Sequence, residues 1–151
     1  HPYHAQLREL VESARSRCAE AFLIDCHSLP HEAVDGVARN SARRPEIVIG
    51  DRFGASASAE IVSRVEAAFS RAGLSVVRNA PFAGAYVTQA YGRPSRKQHA
   101  IQIEIDRSVY MDEARIRPNA DFHAFRRVLR GVVAEIAAIG HRDQEKPLAA
   151  E

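Results

Sequence analysis

The chain has no tryptophan, one methionine and only two cysteines among its 151 residues. The two thiols, Cys18 and Cys26, do not form a CxxC pair, which excludes a disulfide framework. Cys26 sits inside an apolar run, so a buried free thiol is expected there, and this usage fits a reducing cytoplasm. Neither charge sign dominates: 21 basic residues face 19 acidic ones, for a formal net charge of +2. With no basic block, no nucleic-acid partner is expected. No apolar run is long enough to span a bilayer and no signal peptide is recognisable, so no membrane partner is expected either. There is no internal repeat. The glycines around Gly50-Asp51-Arg52-Phe53-Gly54 lack the lysine and the spacing of a phosphate-binding loop.

What is present is a chain that is 46% hydrophobic and carries seven histidines. Its size suits one α/β or α+β domain, over residues 1–140, followed by a polar tail at 141–151. Leu7, Leu10, Val11, Ala14 and Cys18 recur at helical spacing and predict an amphipathic helix from Tyr3 to Ala19. The run Ala21-Phe22-Leu23-Ile24 predicts a strand buried on both faces, hence membership of a parallel sheet. Residues 29–44 read as a loop, and 45–51 as a second strand. A helix is predicted from Ala59 to Ala72, stopped by Gly73 in a left-handed conformation. Strands are expected at 74–79, 87–91 and 99–106, and a long helix from Asn119 to Ile139, stopped by Gly140. This alternation predicts a mixed sheet flanked by helices.

Two segments carry chemistry. Asp25-Cys26-His27-Ser28 lies at the end of a predicted strand, where sheets of this kind build their sites. Asp25 and His27 are two apart and share a face. That geometry suits an imidazole metal ligand with a carboxylate behind it, and suits equally a histidine that caps the strand end. Glu104 stands between Ile103 and Ile105, so it can project into a cleft as a proton carrier or outward as an ordinary surface glutamate. The turn-rich stretch from Asn79 through Phe82 and Gly84 to Tyr86 can line a pocket or simply join two strands. Arg52 is a candidate partner for a substrate carboxylate, since its planar fork matches that group. His27 and His31 have helical spacing, but Pro30 argues against a shared helix. His123 and His141 read as surface, and His4 is the best of the other histidines as a ligand.

Taken in order, Pro-Tyr-His at 2–4, Asp-Cys-His-Ser at 25–28, Pro-Glu-Ile-Val-Ile-Gly-Asp at 45–51, Asn-Ala-Pro-Phe-Ala-Gly-Ala-Tyr at 79–86 and Gln-Ile-Glu-Ile-Asp-Arg-Ser-Val-Tyr-Met-Asp-Glu at 102–113 resemble the N-formylglutamate amidohydrolase family. The resemblance extends to about residue 139. It implies a zinc-carboxypeptidase-like (phosphorylase/hydrolase-like) fold, similar also to succinylglutamate desuccinylases. It further implies Zn2+, or another divalent metal, and a zinc-activated water that attacks an amide carbonyl. His27 would be a metal ligand, with Asp25 and Ser28 behind it, and Glu104 the general base and then acid. Arg52, Asn79, Phe82, Gly84 and Tyr86 would bind substrate, an N-formyl or other small N-acyl amino acid. Ala85 stands where the family has a second glycine.

The first two metal ligands of related hydrolases come from a His-x-x-Glu or similar segment, and this chain has no His-x-x-Glu. One histidine cannot make a three-ligand catalytic site. The resemblance therefore implies the C-terminal part of a single amidohydrolase domain, whose partner is an N-terminal segment of the same protein. Two other readings stand beside this one. The same site could cleave another N-acyl amino acid or a peptide-like amide, or this fragment alone could be an inactive binding or assembly module. Oligomeric state is left open.

Overall fold

A computed structural model of the protein describes residues 1–18, 20–39 and 43–139. In chain order the elements are α1 (Pro2–Cys18), β1 (Ala21–Leu29), a 3₁₀ turn (His31–Val34) running into α2 (Asp35–Ala38), β2 (Ile47–Gly50), α3 (Ala59–Arg71), β3 (Val76–Arg78), α4 (Tyr86–Tyr91), β4 (Gln98–Asp106), the two short strands β5 (Met111–Asp112) and β6 (Arg117–Pro118), and α5 (Phe122–Ala137). Four strands form one sheet in the order β1-β4-β2-β3. β1 runs parallel to β4 and β3 parallel to β2, while β2 and β4 are antiparallel, so the sheet is mixed as expected.

Strand alternation gives the two faces different chemistry. On one face Ile101, Ile103 and Ile105 of β4 meet Ile47 and Ile49 of β2, and α3 and α5 cover them with Ile61, Val62, Val65, Phe69 and Val132. α3 forms because its apolar positions fall on one stripe and Ser58 caps its first turn, accepting from the Ile61 N–H. Gly73 ends this region at φ 84°, as expected. The opposite face carries two smaller clusters. One joins α1 and α4 to Ala21 and Ala100 at the start of β1 and β4. The other joins Leu29, Val34 and Val48 near the opposite end of β1. Between them the face is polar.

Several expectations change. β1 is not buried on both faces. It is one of the two outer strands of the sheet among the described residues, and its middle is only half-buried. Cys26 is accordingly exposed rather than buried. The doubly buried strand is β2, with all four residues inside. β4, a central strand, is nearly as covered.

Residues 29–44 are not a plain loop. They hold the 3₁₀ turn and α2, and Val34 is fully buried. The strand expected at 87–91 is helix α4. Its β-branched Val87 and Thr88 suggest a strand, but Thr88 and Tyr91, three apart, are its buried residues, and the Thr88 hydroxyl donates to the Ala85 carbonyl. The last helix starts at Phe122 rather than Asn119, after the short β5–β6 pairing, for which the sequence carries no signal. The Gly140 stop and the 141–151 tail lie outside the described residues.

Candidate active site

β1 and β4 are aligned so that His27 stands directly beside Glu104, and Asp25 beside Gln102. All four side chains therefore leave the sheet on its polar face. Across β4 from Glu104 lies buried Val48, and across from Gln102 lies Gly50, which has no side chain to occupy the space. Glu104 is half-buried. Its Oε1 accepts from Gln102 Nε2 at 2.7 Å, and Gln102 Oε1 in turn accepts the Ala85 backbone N–H at 2.7 Å. The glutamate is thus held in place from the loop that precedes α4. Gln102 was given no role by sequence reasoning. The available signal was its position two residues before Glu104 on the same strand.

His27 Nε2 lies 3.0 Å from Asp25 Oδ2. The approach is off the line of a hydrogen bond, and Asp25 Oδ2 is buried with no hydrogen-bond partner among the described residues. A carboxylate oxygen in that position calls for positive charge or a donor. An imidazole with a carboxylate behind it suits one ligand position of a divalent cation, with Glu104 beside it to carry a proton. Among the described residues no three His, Cys, Asp or Glu side chains converge to complete it.

The loops beside the site are braced by side chains. Asn79, at φ 57°, accepts from the Asp51 and Phe53 N–H groups and donates to Asp51 Oδ1 at 2.5 Å. Asp51 is buried and also accepts from the Gly54 N–H. Most of the hydrogen-bonding capacity of Asn79 is therefore used on this turn. The Arg52 N–H donates to the Ala83 carbonyl at 2.8 Å, which ties the 51–54 turn to the 79–85 loop. The Arg52 guanidinium makes no hydrogen bond or ion pair with another described residue, so it is available to a ligand. Gly84 has φ 114°, where side chains are disfavoured, and a Cβ there would meet Thr88 Oγ1 at 2.6 Å.

The remaining expected site residues spread out. Phe82 is exposed on the loop. Ser28 falls on the opposite side of β1 from His27, where its hydroxyl accepts from Arg107 Nε at 3.2 Å. The Tyr86 ring turns toward α1 and lies edge-on to His4, with centroids 5.0 Å apart. His4 itself is tied to Tyr91, its Nδ1 being 3.0 Å from the hydroxyl. Two other histidines gain partners that their spacing did not reveal. His31 Nδ1 is 2.7 Å from Oδ2 of the buried Asp106. The buried His99 accepts the Ser58 N–H at Nδ1, so its Nε2 donates to Glu20 at 2.9 Å. His123 is exposed, as expected.

The Cys26 thiol is pushed above its ordinary range, first by desolvation of the sulfur and then by the Asp25 carboxylate beside it. Less thiolate forms at a given pH, and the thiolate is the nucleophile. Iodoacetamide at mildly alkaline pH is expected to alkylate Cys18 before Cys26, with the Cys26 rate still climbing as pH is raised further. Peptide mapping after timed quenching reads this directly, and equal rates at both sites would contradict it.

Fold and site together define a mixed α/β protein whose polar sheet face sets an imidazole beside a carboxylate. A model of the N-formylglutamate amidohydrolase family matches residues 1–111. The chain belongs to that family. It is 34% identical over 146 residues to N-formylglutamate deformylase of Pseudomonas aeruginosa, covering 92% of this chain and 52% of that protein. Against N-formylglutamate deformylase of Pseudomonas putida it is 34% identical over 117 residues, or 74% of this chain and 41% of that protein. The crystal structure of N-formylglutamate amidohydrolase from Ralstonia eutropha JMP134 superposes with a TM-score of 0.79 at 32% identity, covering 93% of this chain and 50% of that one. The chain thus spans about half the length of the curated relatives it matches. No helix among the described residues is long and apolar enough to cross a membrane.

Proposed function

We propose that this chain supplies one side of the active site of a metal-dependent amidohydrolase that converts N-formyl-L-glutamate to formate and L-glutamate. The observation that carries the reading is the pairing of His27 with Glu104 across β1 and β4, in a chain of this family. His27 would hold the metal, with Asp25 orienting its ring from 3.0 Å away. The other ligands would come from outside the described residues, in a zinc-carboxypeptidase-like arrangement. A bound Zn2+, or another divalent ion, would polarise the amide carbonyl and make water more acidic.

The chain's own groups have definite tasks. Glu104 takes a proton from the water that adds to the formyl carbon, then delivers it to the nitrogen as the C–N bond breaks. Gln102 holds Glu104 Oε1, which leaves the second oxygen to carry the proton. The unpartnered Arg52 guanidinium pairs with a carboxylate of the substrate. Phe82 shields the loop side. The compartment proposed for this reaction is the cytoplasm.

The test is formate release from N-formylglutamate by the complete protein. Activity is expected to disappear with a chelator and return with zinc, and N-formylglutamate should outcompete its N-acetyl and N-succinyl analogues. Preference for another acyl group would keep the mechanism and change the substrate. Chelator-resistant activity would remove the metal from the reading.

A further inference from the structure

A second cavity, of about 280 Å³, lies between α1 and the turn that leads into β4, and its lining includes Arg8, Arg15, Arg93 and Arg96 with Glu12 as the single carboxylate. Arg8, Glu12 and Arg15 form one stripe of α1, spaced at helical intervals. Arg93 and Arg96 come from a tight turn. The Arg96 N–H donates to the Arg93 carbonyl, and Arg93 and Gln98 exchange both backbone hydrogen bonds. Helix and turn are clamped in this relation, since the Tyr91 hydroxyl donates to the His4 carbonyl from a buried ring. The cavity is therefore walled by two fixed elements.

Its charge is unbalanced. Glu12 lies 3.9 Å from Arg15 and offsets one guanidinium. Arg93 is held by the Gln89 and Gly92 carbonyls, which fix its direction without neutralising it. Arg8 and Arg96 make no ion pair among the described residues. Cations gathered around one hollow repel one another unless an anion joins them. Guanidinium groups bind carboxylate and phosphate oxygens through paired N–H donors.

The cavity lies toward the far end of the sheet face that carries Glu104. Gln98 lines it, and Glu104 is six residues further along the same extended strand, about 20 Å at ~3.3 Å per residue. We propose that this cavity is an anion site, taking a small molecule with two or more carboxylate or phosphate groups. The volume, at the low end for ligand pockets, limits the occupant to a small one. Tyr86 contributes to the lining and lies edge-on to His4 of α1.

Calorimetric titration of the protein with inorganic pyrophosphate, and separately with citrate, tests this. One saturable site is expected for at least one of the two, weakening as salt is raised. The paired substitution Arg8→Gln with Arg96→Gln should weaken it at least tenfold. Both residues are exposed, so the thermal melt should be unchanged. The pair Arg126→Gln with Arg130→Gln, exposed on α5, should bind as the parent does. Which anion binds more tightly decides between phosphate and carboxylate. Absence of saturable binding, or equal weakening in both pairs, would overturn the proposal. Neither outcome bears on the amidohydrolase reading, which formate release tests independently.

Discussion

Replacing Glu104 by Gln in the complete protein is expected to lower kcat for formate release by roughly 10²–10⁴, with KM little changed. The substitution keeps the shape of the side chain. It also keeps an oxygen to accept from Gln102 Nε2, the contact that now fixes Oε1 at 2.7 Å. What it removes is the ability to carry a proton. Glu104 sits half-buried beside His27 on the polar face, and no other carboxylate on the neighbouring strands shares its position in the register. Asp25 is beside Gln102 instead, two pairs back along the strands. A circular-dichroism melt matching the parent would show that the fold survives. A Glu104→Gln variant with parental kcat would sink the assigned role of the carboxylate while leaving the family membership intact.

Gly50→Ala is expected to cost about 1–3 kcal/mol of stability, the usual range for forcing an extra methyl into a packed site. The added Cβ would lie 2.6 Å from the Gly84 nitrogen and 2.8 Å from the Ala83 carbonyl carbon. These are backbone atoms, so no side chain can rotate away to make room. The loop cannot retreat freely either, because the Ala83 carbonyl accepts the Arg52 N–H and the Ala85 N–H donates to Gln102. If it does move, Gln102 loses its anchor and Glu104 its brace, so kcat should fall as well. Urea unfolding would show a lower midpoint with an unchanged slope. Gly36→Ala is the control, because a Cβ there meets nothing within 4 Å. Equal stability in the two variants would show that the 79–85 loop does not seat on Gly50.

Helices α1, α3 and α5 were legible because their apolar residues repeat at 3.6-residue spacing. Only α3 buries a full stripe, while α1 buries Val11 and α5 Val132, and Leu10 and Cys18 of the expected α1 stripe are exposed. The strand runs at 21–28, 45–51, 74–79 and 99–106 were legible for the complementary reason. Short-range pattern misled at 87–91, where β-branched residues suggested a strand and the buried Thr88 and Tyr91 made a helix. It misled again at Cys26, since an apolar run records which residues avoid water on average and not whether the strand lies inside a sheet or at its edge. His31 with Asp106, and His99 with Glu20, were invisible because each pair joins residues more than seventy positions apart.

For the candidate site, residue types and strand ends pointed to Asp25, His27 and Glu104, because a carboxylate or imidazole among apolar strand residues must find a polar face. The family itself was readable from the ordered motifs. Only the tertiary structure decided that these residues meet. The register of β1 on β4 puts His27 beside Glu104, and a shift of one residue would have sent one of them to the core. That register is set by long-range pairing and by the packing of both sheet faces, which no local stretch of sequence encodes. The same packing turned Ser28 and Tyr86 away from the site, held Glu104 through Gln102, and gathered four arginines from two distant segments around one cavity.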